Sequence, residues 1–308
     1  DSVAKAGVHL YEPKPSYRIR QSGRGERDPL LEGENHPQGV MLYFRLDSAP
    51  TASDLVRLEI LEEDGTLVKA FTSDAGDDEK DLKLDAKAGM NLFVWDMRYP
   101  DAVSFDGLIL YSANTRGPTA VPGTYRARLI AGDTSVEQNV EILKDPRVNS
   151  SLADLQAQFD FLMEVRDKLS EAHQAVIDIR SLRTDLDYLQ SKLEDRPDNN
   201  AETAAIVEAI DALKEEIGVI ENTIHETRNE ARQDPLNFGI KLNNRLAYLA
   251  THESAGDFRP TDQAIEYKAE VSAQIDEALA ALETLLADSL PEINRMMKQQ
   301  NIEVLPVP

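Results

Sequence analysis

Leu155, Leu162, Leu169 and Val176 recur every seventh residue, and Val165, Ala172, Ile179, Leu186 and Leu193 do the same on a neighbouring seam. Two such rows sustained over about 40 residues demand one long helix that buries an a/d-type stripe. Ser150 or Ser151 is placed to cap its start, with Asp154 in the first turn, and Arg196-Pro197 ends it. A second helix is expected from about Ala201, where Ile206, Ile210, Leu213, Ile217, Ile220 and Ile224 form the cleanest apolar stripe in the chain. After a break at Gln233-Asp-Pro-Leu-Asn237, a shorter helix holds Leu242, Leu246 and Leu249 and stops before Pro260. Thr261 is a good cap for a last helix that carries Val271, Ile275, Ala278, Leu282 and Leu285 and reaches about Gln300, with Pro291 expected to kink or interrupt it. The short connection at Arg196–Asn200 makes the first two helices antiparallel. Residues 150–308 therefore read as a long antiparallel helical bundle, monomeric because short loops favour pairing within one chain.

The period changes before Ser150. Gly39–Leu46, Leu55–Leu61, Thr66–Phe71, Asp81–Asp85, Met90–Trp95, Gly107–Tyr111, Thr124–Ile130 and Val136–Leu143 read as short strands with turn residues between them. Glu63-Asp64-Gly65 is a hairpin turn, since Asp-Gly accepts positive φ cheaply. Consecutive strands without helices predict a two-sheet sandwich over residues 36–147. Residues 1–35, rich in charge, Gly and Pro, read as an extended lead-in or linker with an edge strand at Val8–Tyr11 or Tyr17–Arg20. The expected fold class is α+β multidomain: an immunoglobulin- or fibronectin-III-like sandwich followed by the bundle.

Charge sharpens this division. Of a net charge of -23, residues 1–150 hold -7 and residues 151–308 hold -16. Phosphate binding needs a basic face, so the balance argues against nucleic acid as a partner. No apolar run approaches the roughly 20 residues of a membrane span. With no cysteine there is no disulfide, thiolate metal site or cysteine nucleophile.

The residues that carry chemistry are sparse. His9, His36, His173, His225 and His252 include no pair four apart on a helix, so no helical metal pair exists. His173 is expected to be solvated or in a helix–helix polar contact, and His36 to be a loop residue. The densest acidic run, Asp74–Asp81, has oxygens for loosely held Ca²⁺ but not the spacing of a twelve-residue calcium loop, and reads as a solvated hairpin loop. Asp96 would serve as a glycosidase acid only opposite a second carboxylate; the simpler reading puts Trp95 in the core and Asp96 in a turn. Trp95, Tyr99, Phe105, Tyr111 and Tyr125 are the candidate sugar platforms, most of them needed for packing. No nucleophile elbow or phosphate loop is present. No catalytic, cofactor-binding or metal-binding residue is assigned.

Gly33-Glu-Asn-His-Pro-Gln-Gly39, Asn91-Leu-Phe-Val-Trp-Asp-Met-Arg-Tyr-Pro100, Gly117-Pro-Thr-Ala-Val-Pro-Gly-Thr-Tyr125, Lys144-Asp-Pro-Arg147 and Leu236-Asn-Phe-Gly-Ile-Lys-Leu-Asn-Asn-Arg245 occur in that order. The order resembles the C-terminal region of bacterial sortilin-like (VPS10-like) secreted proteins with BNR repeats, often labelled glycosyl-hydrolase-like, whose main body is a β-propeller. The strand pair around Trp95-Asp96 and Pro122–Tyr125 also looks like the immunoglobulin-like module of flagellar-hook-cap proteins. No Asp-box repeat is present, so the resemblance implies that the propeller and any activity lie outside this chain, and no catalytic residue carries over. It implies a secreted, periplasmic or cell-surface location in a bacterium. The expected function is a non-catalytic accessory region, a spacer and interaction or assembly module for a protein partner or for the parent's own propeller. The alternatives are a carbohydrate- or peptide-binding module, and a hydrolase with a site between sandwich and bundle.

Overall fold

The computed structural model describes residues 7–19, 36–51, 54–76, 82–196, 200–300 and 302. The fold is mixed α and β, with two sheets and five helices among the described residues, and its contacts divide the chain into two units. The sheet-bearing unit comprises residues 1–100, 117–159 and 257–259; the helical unit comprises 101–116, 160–256 and 260–308.

In the sheet-bearing unit, β1 (Val8–Leu10), β3 (Val40–Leu46) and β6 (Gly89–Trp95) form a three-stranded antiparallel sheet in the order β1-β3-β6. The second sheet has the order β2-β8-β7-β4-β5, from β2 (Ser16–Arg18), β4 (Val56–Glu62), β5 (Leu67–Thr72), β7 (Gly123–Ala131) and β8 (Thr134–Lys144). All its pairs are antiparallel except β2 with β8. Both β1 and β2 form, where one edge strand was expected. Alternation selects the buried side chains: Val40, Leu42, Phe44 and Leu46 are buried along β3, as are Tyr125, Ala127 and Leu129 along β7. The sheets meet through Trp95 against Tyr125, ring centroids 5.7 Å apart, and Phe93 against Phe71, 4.4 Å apart. The hairpin at Asp64-Gly65 is as read: Gly65 has φ 98°, and the Asp64 carboxylate accepts from the Thr66 N–H.

The outer faces of the two sheets differ. On the five-stranded sheet Glu59, Arg128 and Glu137 lie directly opposite one another across β4, β7 and β8, and Arg128 bonds both carboxylates. On the three-stranded sheet Tyr43, Met90 and Leu92 face outward, each 40–50% exposed.

The helical unit holds most of α1 (Leu152–Glu194), together with α2 (Ala201–Ile224), α3 (Pro235–Phe238), α4 (Leu242–Glu253) and α5 (Asp262–Gln299). The sevenfold rows of α1 and the α2 stripe are buried as read, except that Ile220 is partly buried. Ser151 and Asp154 form a reciprocal cap at the start of α1, while Asn200 and Thr261 cap α2 and α5. Pairs from Arg180 to Glu221, Asp187 to Lys214 and Gln190 to Asp211 join α1 to α2 in descending against ascending order.

Three expectations need correction. Gly107–Tyr111 is not a strand: Gly107 (φ 76°) and Ser112 (φ 51°) turn the chain out of the extended region at both ends. Residues 101–116 belong to the helical unit, with Ala102 in its core and Phe105, Leu110 and Ala113 packed against that core, so the unit bounded at 36–147 loses its middle. Of Asp81–Asp85, the described residues 82–85 form no strand; only Lys83 bridges, to Thr72. Of the two outcomes expected at Pro291, a kink or an interruption, the interruption does not occur: α5 runs through it. Leu290, Ile293 and Met297 continue the buried stripe through it, and their packing offsets the roughly 3 kcal/mol that an internal proline costs.

Candidate functional sites

Perturbed titratable groups converge at one place in the helical unit. His173 on α1, His225 just after α2 and Asn243 on α4 are all buried. The Asn243 side-chain oxygen accepts from the Asn244 N–H at 2.7 Å, which turns the amide nitrogen toward both rings. That nitrogen lies 3.2 Å from His173 Nε2 and 3.2 Å from His225 Nδ1. The other nitrogen of His173 donates to the Val103 carbonyl. The network thus requires two neutral imidazoles, each presenting a lone pair to Asn243. Burial lowers the pKa of His173; burial, then the Arg180 and His173 charges, lowers that of His225 to about 4. His173 is therefore not solvated but in the helix–helix polar contact that was the other expectation, α1 to α4 through Asn243, and it also binds the backbone of a loop.

Phe105 packs against both rings. Its ring stands edge-on to both imidazoles with centroids 5.0 Å apart, and the Arg180 guanidinium lies 4.7 Å from its centroid. Arg180 also donates to the Asp106 carbonyl and, with Arg183, binds buried Glu221. Nearby, Arg228 pairs with buried Glu226 and holds its pKa at about 2.

The rest of the loop is gripped by its backbone. Ser170 accepts from the Val103 N–H, and Asn244 both accepts from the Tyr111 N–H (2.6 Å) and donates to the Tyr111 carbonyl (3.1 Å). Such a two-way amide contact replaces a strand neighbour for one residue. Asn244→Ala removes both bonds and is expected to destabilise the helical unit by roughly 2–3 kcal/mol. The expected companion is faster hydrogen exchange at the Tyr111 amide; unchanged exchange there would show that other contacts hold the loop.

The other sequence candidates resolve as packing. Trp95, Tyr99 and Tyr125 are buried, and Phe105 is taken up by the loop contact, so these are not sugar platforms. Tyr99 donates to Glu62 at 2.7 Å; burial first, then that carboxylate, raises its pKa. Asp96 accepts from the Arg98 N–H in a turn, as read. His36 is an exposed loop residue. Of the Asp74–Asp81 run, Asp77–Asp81 lie outside the described residues. Among the described residues no group of three or more His, Asp or Glu is placed to hold a metal ion, and no helix is long and apolar enough to cross a membrane.

A second site lies in the sheet-bearing unit and was not read from the sequence. A cleft of about 580 Å³ opens beside β2 and β3, walled by Pro13, Pro15, Tyr17, Pro37, Met41 and Tyr43. Tyr17 and Tyr43 are exposed, unlike Trp95 and Tyr99. Tyr43 also borders a second concavity of about 560 Å³ with Met90 and Leu92. The signal available was the density of proline and tyrosine in Tyr11-Glu-Pro-Lys-Pro-Ser-Tyr17.

No model of a known family and no curated protein matches the chain. A solved structure titled pT26-6p is similar over 78% of this chain and 47% of its own, at 13% identity and a TM-score of 0.15. The chain thus spans about half the length of that structure, and a score so low shows no shared fold.

Proposed function

We propose that this chain is a non-catalytic accessory region of a secreted protein, a spacer and protein-interaction module. In this reading the two sheets form an immunoglobulin- or fibronectin-III-like sandwich, and the helices an antiparallel bundle. The descending and ascending pairs between α1 and α2 support the second assignment. The observation that carries the functional reading is how the perturbed groups are used. Strongly shifted pKa values in a cleft would mark a reactive site, but His173 and His225 are spent on Asn243, on Phe105 and, for His173, on the Val103 carbonyl. Their work is to hold residues 101–116. The open surface is instead an apolar sheet face beside a cleft of rings, the composition of a recognition surface.

The resemblance to sortilin-like proteins supplies the proposed partner, a β-propeller encoded in the same reading frame. The test is size-exclusion chromatography with light scattering on this chain and the separately expressed propeller region. Co-elution at micromolar concentration is expected, and elution as two independent species would remove the docking role.

A further inference from the structure

We infer that the open edge of β6 is a self-association site, at which β6 of a second copy of this chain pairs antiparallel about a two-fold axis at Leu92. The inference does not rest on the propeller reading. β6 ends its sheet, in the order β1-β3-β6, and no described residue hydrogen-bonds to its backbone from beyond that edge. The ladder itself tells which groups are free. In an antiparallel ladder a residue turns its N–H and C=O to the same neighbour, and successive residues alternate. The Tyr11 N–H donates to the Tyr43 carbonyl, so Tyr43 turns its backbone toward β1 and away from β6. Leu92, opposite Tyr43, therefore presents both its groups to the open edge, as do Met90 and Val94. Gly89, Asn91, Phe93 and Trp95 make the bonds to β3. The side chains follow the same alternation: Met90 and Leu92 are exposed, whereas Asn91 and Trp95 are buried.

Strand edges invite pairing unless they are blunted. β1 and β2 are three residues each, with Pro13 and Pro15 between them. β5 carries Lys69, and the Leu84 N–H donates to its Thr72 carbonyl, which covers one end. β6 has no such device: Gly89-Met-Asn-Leu-Phe-Val-Trp95 is seven residues without charge or proline.

The occupant follows from the symmetry of the free groups. Met90, Leu92 and Val94 are evenly spaced about Leu92. A second β6 laid antiparallel sets Leu92 opposite Leu92 and Met90 opposite Val94, each pair exchanges two bonds, and no free group of the three is left over. On the outer face the cross-strand row of Tyr43 and Leu92 continues into Leu92 and Tyr43 of the second copy, which covers apolar side chains that are exposed in one chain. Continued past the strand ends, the same register sets Lys87 of each copy one position from Asp96 of the other, both of them exposed. Charge is thus complementary at the two ends and absent between them, which lets two chains of net charge -23 meet there. A strand of other sequence can supply the bonds; β6 itself also supplies the apolar row and the matching charges.

The test is sedimentation equilibrium of the full chain. A monomer–dimer equilibrium with a Kd of about 1–100 μM is expected, the range of a small interface. Leu92→Lys and Leu92→Glu should each weaken it about tenfold or more, because the axis sets like charges opposite each other. An equimolar mixture of the two variants should dimerise again, since lysine then faces glutamate. Leu92 is exposed, so near-ultraviolet dichroism from Trp95 should be unchanged in both. In the parent chain, raising the concentration should slow hydrogen exchange at the Met90, Leu92 and Val94 amides and leave Asn91 and Phe93 as they were. A monomer at every concentration, a dimer that both single variants leave intact, or a mixture that stays monomeric would each overturn the assignment. Slowing at those amides only when the separately expressed propeller is added would give the edge to the propeller and overturn it too.

Discussion

Replacing Trp95 by alanine is expected to lower the stability of the sheet-bearing unit by about 3–5 kcal/mol. Trp95 is fully buried at the end of β6, packed edge-on against Tyr125 of the other sheet. Its indole N–H donates to the Arg98 carbonyl at 3.2 Å. The substitution therefore opens a cavity between two sheets held apart by their own backbones, which cannot collapse onto it, and leaves a turn carbonyl without its donor. Trp95→Phe keeps a ring against Tyr125 and should cost less, roughly 1–3 kcal/mol. Urea unfolding followed by far-ultraviolet dichroism at the strand band measures both variants. A Trp95→Ala loss below about 1 kcal/mol would mean that Trp95 does not join the two sheets.

The residues that were legible in the sequence are those whose environment is set by their own element. The α1 rows and the α2 stripe are buried because a helix presents every third and fourth residue to one side, whatever covers it. Ser151 and Thr261 cap helices through bonds three residues away, and Asp64-Gly65 turns through a bond two away. Gly107–Tyr111 failed because an apolar run of that length looks the same in a strand as in a loop laid on helices. Its fate is decided by Asn244, 133 residues further on. The cleft was hidden for a similar reason. Its walls come from residues 12–19 and 36–43, and whether Tyr43 faces outward depends on the register of β3 against β6. The His173–Asn243–His225 group is likewise drawn from α1, α4 and the segment after α2, and no spacing in the sequence links them.

The same group makes the helical unit acid-sensitive. Asn243 presents its amide nitrogen to a lone pair on each ring, so a proton on either acceptor nitrogen sets N–H against N–H inside a buried contact. The groups that face the rings oppose and favour protonation together: Arg180 from α1 lowers the pKa of His225, and Glu221 and Glu226 act the other way, yet burial outweighs them. His225 takes up a proton near 6.5 when unfolded but only at about 4 when folded. The unfolded chain therefore binds more protons between those values, and the stabilisation is complete above about pH 6.5 and lost as the pH falls through 4. For His225 alone this amounts to roughly 3 kcal/mol. Glu226, held at about 2 by Arg228 when folded against 4.5 when unfolded, adds a loss of the same sign at the acid end of that window, common to the parent chain and to His225→Gln, so the difference between the two profiles still reports His225. Urea midpoints read at the helix band, at steps between about pH 7.5 and 4.5, should fall more steeply for the parent chain than for His225→Gln, which has no proton to gain. Parallel pH profiles for the parent and His225→Gln would show that the buried ring does not titrate with unfolding. A flattened profile would assign the acid limit of the helical unit to the contact that holds residues 101–116.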